Sequence, residues 1–249
     1  MTRLVGVVLL GLGMIGCTSA DDGDWVVRPP GGGTGSGGVT VDAGGVDGDG
    51  DGGSGLVGHL CVVTGMQTPR ACAGLEKQEG VTVRRLGDTT GALTGNDGVF
   101  TLAVSGTPVV LEVAHDEPLL QASVVPVRND GTDVEVPVPT AAAWASTLTA
   151  AGTTVTPGNG SIALYLQAAP GEVPEDVRFD LPLSGIAGPF YDDDNGGWTT
   201  GVGTGVRGVV LFTDLAEGTY TLQGRDAATT AITIAGVPVV PDRVTFVLQ

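Results

Sequence analysis

The chain has 249 residues, and its 28 aspartate and glutamate residues outnumber 11 lysine and arginine residues to give a formal net charge of −17. This acidity argues against nucleic acid and anionic lipid headgroups as partners, because their phosphates would be repelled. The chain also has three cysteines, and an odd number needs an explanation in an exported protein.

The first 16 residues have the pattern of an export signal. A positive start, Met1–Arg3, precedes the apolar run Leu4–Ile15, which is too short to cross a bilayer. The run leads into the tetrapeptide Met14–Cys17 (MIGC), which resembles the bacterial lipobox. That resemblance implies cleavage before Cys17, acylation of its sulfur and, since Thr18 rather than aspartate follows, sorting to the outer membrane of a Gram-negative host. Several acyl chains together anchor a protein stably. The alternative is an ordinary cleaved signal peptide in which Cys17 is incidental.

The same region contains a formal G-x-G-x-x-G pattern, Gly11–Gly16, and Gly203–Gly208 is a further match. A dinucleotide-binding domain needs a helix directly after this pattern. The first match runs into acidic residues and Pro29-Pro30, and the second into the strand-like Val209–Phe212. Neither segment is typical of a helix. The sequence therefore predicts no nucleotide and no other cofactor.

Residues 17–55 are rich in Gly, Asp, Ser and Thr and have no hydrophobic period. Such a segment cannot bury enough apolar surface to offset the entropy of ordering, so we expect a disordered tether. Asp47, Asp49 and Asp51 match the start of an EF-hand calcium loop, but the twelfth position is Gly58, where a bidentate glutamate is required. A solvated linker is therefore the favoured interpretation of these three candidate ligands.

Cys61 and Cys72 lie eleven positions apart, and Gly65 and Pro69 between them allow the chain to turn back. An oxidising periplasm or cell surface would allow a disulfide here. Closing so short a loop contributes roughly 2–3 kcal/mol to stability. A metal site is the alternative, but the segment lacks the second close pair of ligands that a zinc site needs.

Residues 56–139 have the pattern of an all-β sandwich, with short runs of Val, Thr and Leu between Gly, Pro, Asn and Asp. The predicted strands are Leu56–Thr64, Val81–Leu86, Val99–Ser105, Val109–His115, Ala122–Val127 and Asp133–Val138. Three segments, Leu56–Val62, Glu79–Val83 and Thr94–Leu102, resemble the carboxypeptidase regulatory-like domain. The resemblance implies a transthyretin-like (prealbumin-like, Ig-like) sandwich that acts in folding, spacing or binding without catalytic residues of its own.

Thr140–Ala151 is alanine-rich and precedes Gly152, which predicts a short linker helix within residues 140–152. Trp144 and Leu148 are four residues apart and therefore share one face. We expect this face to pack between two domains.

Residues 153–249 have the pattern of a second, diverged sandwich of the same type. The predicted strands are Ile162–Leu166, Val177–Leu183, Gly208–Phe212, Thr219–Leu222, Ala231–Ile234 and Val244–Leu248. The segment Val210–Leu222 resembles a prealbumin-like hairpin, in which an aromatic residue and a leucine follow the turn glycine Gly218. The fold expected overall is all-β, with two tandem sandwiches behind the tether.

Between these strands, Pro189–Trp198 combines acidic and aromatic residues and is the candidate binding loop. Its candidate contact residues are Phe190, Tyr191, Asp192, Asp193, Asp194 and Trp198. The favoured interpretation of this segment is nevertheless an ordinary Asn-Gly turn flanked by aromatic residues that pack in the core.

The sequence contains no recognisable catalytic pattern, so we expect the protein not to be an enzyme. Prealbumin-like dioxygenases bind iron through two tyrosines and a close His-x-His pair, whereas His59 and His115 are 56 positions apart and precede every tyrosine. No G-x-S-x-G nucleophile motif is present. The sequence predicts a lipid-anchored structural or binding protein of the bacterial cell envelope, with an envelope protein or a glycan as partner. The alternatives are a carbohydrate- or calcium-dependent binding protein that uses residues 189–198 and, third, an enzyme.

Overall fold

The computed structural model describes residues 55–68, 72, 79–114, 119–131, 133–167, 174–180, 187–201 and 203–249. By contacts the chain divides into Met1–Gly48 and Asp49–Gln249, and every described residue belongs to the second unit. The predictions for the export signal, Cys17, the tether aspartates and His115 lie outside the described residues.

Fifteen strands and one helix make up the described part. The first half of the fold, residues 56–139, contains β1 (Leu56–Val63), β2 (Thr82–Arg85), β3 (Ala92–Leu93), β4 (Val99–Leu102), β5 (Val109–Ala114), β6 (Ser123–Val127) and β7 (Val134–Pro139). The helix α1 (Ala141–Ala150) follows. The second half, residues 160–248, contains β8 (Gly160–Tyr165), β9 (Arg178–Asp180), β10 (Ala187–Asp192), β11 (Trp198–Thr199), β12 (Val209–Leu215), β13 (Gly218–Arg225), β14 (Ala231–Val239) and β15 (Val244–Leu248).

One nine-stranded sheet runs through both halves, in the order β11-β10-β12-β8-β15-β6-β5-β2-β3. Two three-stranded sheets accompany it, β4-β1-β7 from the first half and β14-β13-β9 from the second. The halves meet where the last strand, β15, lies between β8 and β6. It is parallel to both, and Val244 pairs with Ser161 on one side and with Ser123 on the other. The all-β sandwich prediction is confirmed, and the two predicted sandwiches share this sheet.

The central sheet is covered on both faces in the second half. Along β8, Ala163 and Tyr165 enter one hydrophobic cluster, while Ile162 and Leu164 enter another. The first cluster, here the first core, also holds the side chains of β1, β5 and α1. The other, the second core, holds those of β13 and β14. Because strand residues alternate between faces, the sheet separates the two cores in the second half.

The predicted helix is present at Ala141–Ala150. Its first turn is capped by Thr140, whose Oγ1 accepts a hydrogen bond from the backbone N–H of Ala143 at 3.0 Å. It ends before Gly152, which has a φ of 65°. Trp144 is 7% exposed and belongs to the first core. Within the described ranges, no helix has the length and apolar character to cross a membrane.

Most predicted strands are present, with shifts of one to a few residues at their ends. The largest extensions are at β13 and β14. Within the predicted strand Val177–Leu183, the structure has a strand over Arg178–Asp180 (β9), and residues 181–183 lie outside the described part. The transthyretin-like resemblance and the domain bounds 56–139, 140–152 and 153–249 stay predictions.

The predicted disulfide between Cys61 and Cys72 is present. The segment that it closes contacts the second half of the fold at Met66 and Gln67. Met66 is 2% exposed in the first core, and its carbonyl oxygen accepts a 2.7 Å hydrogen bond from the Tyr165 phenol. The Tyr165 ring stacks on Phe246 with a centroid separation of 5.9 Å. Burial raises the pKa of the Tyr165 phenol, so the group stays protonated and keeps donating this bond.

An ion triad around a buried carboxylate also bridges the two halves. The Glu112 carboxylate, on β5, lies between the guanidinium groups of Arg84 and Arg243, at 2.8 Å and 3.0 Å. Each of its oxygens accepts two N–H groups from one arginine. Burial alone would raise the Glu112 pKa, but the hydrogen bonds and charges of the two arginines outweigh it and hold the pKa below its usual range. Arg243 directly precedes β15, so the triad fixes the start of the strand that joins the halves.

We expect Glu112→Gln to lower the free energy of unfolding by about 1.5–3 kcal/mol, because the charge-assisted hydrogen bonds to the two partly exposed arginines would be weakened. The stabilisation from the depressed Glu112 pKa is present above the unfolded-state pKa and is lost as pH falls through the folded-state pKa. The variant should therefore lose stability less steeply on acidification than the wild type. Urea unfolding across the acidic range measures both effects. The exposed Glu217→Gln is the control, and equal pH dependence in all three proteins would contradict this role.

Candidate functional site

The segment predicted as a binding loop is a β-hairpin. Phe190, Tyr191 and Asp192 lie in β10, and Trp198 lies in β11, where Asp192 pairs with Trp198. Only residues 193–197 connect the strands. The aromatic residues of β10 pack in the core, as expected for a turn flanked by core aromatic residues: Phe190 is 8% exposed and Tyr191 is 2% exposed. Trp198 is partly buried against the first core.

The two buried aromatic residues serve opposite faces of the central sheet. Phe190 packs in the first core and Tyr191 in the second. The Tyr191 hydroxyl accepts a 2.8 Å hydrogen bond from the backbone N–H of Phe179, on β9. Burial, reinforced by the charge of Asp180, raises the Tyr191 pKa, although the bond from Phe179 and the charge of Arg178 act against it. These aromatic rings hold the hairpin to the sandwich and do not form an open stacking surface.

Asp192 is the centre of the hairpin's polar structure. Its side chain is buried, with the residue 2% exposed, and it accepts three backbone N–H groups from the segment that leads into β12. One oxygen accepts from Gly205 at 3.2 Å and Val209 at 3.0 Å, and the other from Arg207 at 3.1 Å. Asp192 thus fixes the approach of the chain to β12.

Asp193 and Asp194 extend this arrangement into the turn. Asp193 Oδ1 accepts the N–H groups of Asn195 at 3.0 Å and Gly197 at 2.7 Å. Asp194 Oδ1 accepts the N–H of Val206 at 2.7 Å. We call Asp192–Gly197 the acidic turn. Its three carboxylates accept backbone N–H groups of this hairpin and of the segment before β12. These bonds stabilise the local fold.

Glycine is required where the segment before β12 approaches the acidic turn. A Cβ at Gly205 would collide with the Asp194 carboxylate and lie 2.9 Å from Asp192 Oδ2. Gly203, with a φ of 103°, precedes it in a conformation that other residues rarely adopt. The G-x-G-x-x-G match at Gly203–Gly208 is therefore a structural segment whose backbone lies against the carboxylates of the acidic turn.

The acidic turn is also tied to the disulfide-closed segment of the first half. The side-chain amide of Gln67 donates to the Gly197 carbonyl oxygen at 2.6 Å. Its carbonyl oxygen accepts from the Arg207 guanidinium, also at 2.6 Å. Together with the bond from Tyr165 to Met66, this places the acidic turn at the junction of the halves. Sequence reasoning missed this contact, because Gln67 and Gly197 are 130 positions apart.

Among the described residues, the side chains close enough together to hold a metal ion are not those of the acidic turn. Across the described ranges, the cluster of possible metal ligands is Cys61, Cys72 and Glu135. The two cysteines are joined in a disulfide, and a metal site would need their thiolates. The predicted EF-hand aspartates at positions 47, 49 and 51 lie outside the described residues.

The residues considered for iron binding are spread over the fold. His59 lies on β1 and is half exposed, 3.7 Å from Asp133. The phenols of Tyr165 and Tyr220 donate to the carbonyl oxygens of Met66 and Ala216. The absence of catalytic activity stays a prediction.

One open groove lies beside the helix, a feature that the sequence did not indicate. Its lining residues are Leu148, Thr149, Gly152, Thr153, Thr154, Ala187 and Asp214. The backbone N–H of Thr156 and the side chain of Asn159 donate to Asp214 and hold its pKa below the usual range. The charged Asp214 carboxylate therefore stabilises the turn that contains Thr156 and Asn159, after the helix.

Comparison with protein-family models finds no match, and comparison with curated proteins finds none either. Among solved structures, the chain is similar to a chain in a type II cohesin–X-dockerin complex from Acetivibrio cellulolyticus, a C-terminal interface mutant. The match covers 35% of this chain and 57% of the other, with 19% identity and a TM-score of 0.25. At this level of similarity, the match carries no argument about function.

We expect Asp192→Asn to lower the free energy of unfolding by about 1.5–3 kcal/mol, because an amide nitrogen would replace a buried oxygen that accepts a backbone N–H. Asp194→Asn is the matched control in the same turn. Its side chain is exposed and accepts one N–H, so we expect a loss below about 1 kcal/mol. Urea denaturation of the two variants checks this order, and equal losses would show that Asp192 has no special structural role.

Proposed function

We propose that the protein is a lipid-anchored, non-catalytic structural or binding module of the bacterial cell envelope, held at the outer membrane through Cys17. The observation that carries the proposal is the disulfide. It uses Cys61 and Cys72, so of the chain's three cysteines the remaining one is Cys17. That cysteine ends the lipobox-like tetrapeptide Met14–Cys17, where acylation requires it.

The architecture supports a module that is presented away from an anchor. A Gly- and Asp-rich segment separates Cys17 from β1, and a sandwich with two hydrophobic cores follows. Gly-rich segments act as flexible spacers. In this proposal the lipid on Cys17 holds the protein at the membrane, and the sandwich binds an envelope protein or a glycan.

The alternative, carbohydrate- or calcium-dependent binding through residues 189–198, has less support. Stacking on a sugar needs exposed aromatic rings, and Phe190 and Tyr191 are buried. Calcium needs carboxylate oxygens directed at one point, and those of the acidic turn accept backbone N–H groups. An enzyme remains the third hypothesis, and it would need converging titratable groups in a deep pocket.

Expression of the full chain in a Gram-negative host supplied with labelled palmitate tests the anchor. We expect the wild type to carry the label, to sediment with membranes and to begin at residue 17 by mass spectrometry. Cys17→Ser should lose label and sedimentation.

The double variant Cys61→Ser/Cys72→Ser is the matched control and should keep the label, because it alters the other two cysteines. An unlabelled wild type, or a labelled Cys17→Ser protein, would overturn the anchor.

A further inference from the structure

The chain contains two Asn-Gly pairs, Asn159-Gly160 and Asn195-Gly196. The two pairs differ in exposure and in the hydrogen bonds that hold them. We propose that Asn195 is a site of spontaneous deamidation in the folded protein, and that Asn159 is protected from the same reaction. In an Asn-Gly pair, the glycine N–H gives its proton to solvent base and the nitrogen attacks the asparagine Cγ. The new N–Cγ bond closes a succinimide, and the side-chain nitrogen leaves as ammonia. Water then opens the ring to aspartate or isoaspartate.

The Asn195 pair is open to this reaction. Both residues are exposed, at the tip of the acidic turn. Gly196 has a φ of 90°, and a Cβ built on it would meet nothing within 4 Å, so the space beside its Cα is open. One exposed 3.1 Å hydrogen bond, from Nδ2 to the Asp193 carbonyl oxygen, holds the Asn195 amide. In the described part of the chain, the Gly196 N–H makes no hydrogen bond.

The Asn159 pair is held in place from several sides. The Asn159 amide donates to the carbonyl oxygen of Asp214 at 3.3 Å and to its carboxylate at 2.9 Å. Gly160 is buried at the start of β8 and pairs with Leu215. A Cβ at Gly160 would lie 2.5 Å from the Val240 carbonyl oxygen, which shows how closely the backbone is packed. Ring closure at this pair therefore requires local unfolding.

Modification at Asn195 would alter the contact between the halves. Either product adds a negative charge next to Asp193 and Asp194. Isoaspartate also lengthens the main chain inside the acidic turn. The Gly197 N–H bonds to Asp193, and its carbonyl oxygen accepts from Gln67, so both bonds depend on the length of this turn. We expect the converted protein to exchange amide hydrogens faster at Gly197 than the unconverted protein.

Incubation of the purified full chain at mildly alkaline pH, followed by peptide mass spectrometry, tests the proposal. We expect Asn195 to convert faster than Asn159 by on the order of tenfold or more in the native protein. The reduced chain in denaturant is the control, and there the two pairs should convert at similar rates. Asn195→Gln should abolish conversion at this position and leave Asn159 unchanged.

A native rate ratio near one, or faster conversion of Asn159, would overturn the proposal. A rate difference that persists unchanged in denaturant would also overturn it, since local sequence rather than the fold would then be the cause.

Discussion

The parallel pairing of β15 with β6 on one side and β8 on the other is the constraint on which the rest of the structure depends. Because β15 contributes Val244 and Phe246 to the first core and Val247 to the second, removing it would open both cores and divide the central sheet. Parallel strands need long connections, and this strand returns to β6 from more than a hundred residues further along the chain. The two halves are therefore completed by one segment at the end of the chain.

Polar contacts reinforce the same junction. The Glu112 triad fixes the residue before β15, and the bonds of Met66 and Gln67 link the disulfide-closed segment to the second half. The acidic turn is the other side of this contact, since Gly197 and Arg207 meet Gln67. The acidic-aromatic segment thus contacts the segment that the Cys61–Cys72 disulfide closes, through Gln67. The contacts observed for these two segments join the two halves of the fold.

The sequence predicted local structure well where one pattern dominated. Runs of β-branched residues marked the strands, the alanine run marked α1, and the odd cysteine count led to the Cys61–Cys72 pair. The hairpin of β10 and β11 was missed because Phe190 and Tyr191 enter different cores, so no alternation of apolar and polar residues marks the strand. The buried position of Asp192 was also unpredictable, because its partners lie 13 to 17 residues away in a glycine-rich segment. The shared central sheet depends on pairing between distant strands, which local patterns do not encode.

Calorimetric unfolding of the oxidised full chain tests the central claim most directly, namely that the two halves are one cooperative structure. A shared sheet and a shared first core predict one transition, with equal calorimetric and van't Hoff enthalpies. Two resolved transitions, or a calorimetric enthalpy well above the van't Hoff value, would show that the halves unfold as independent sandwiches and that β15 does not couple them.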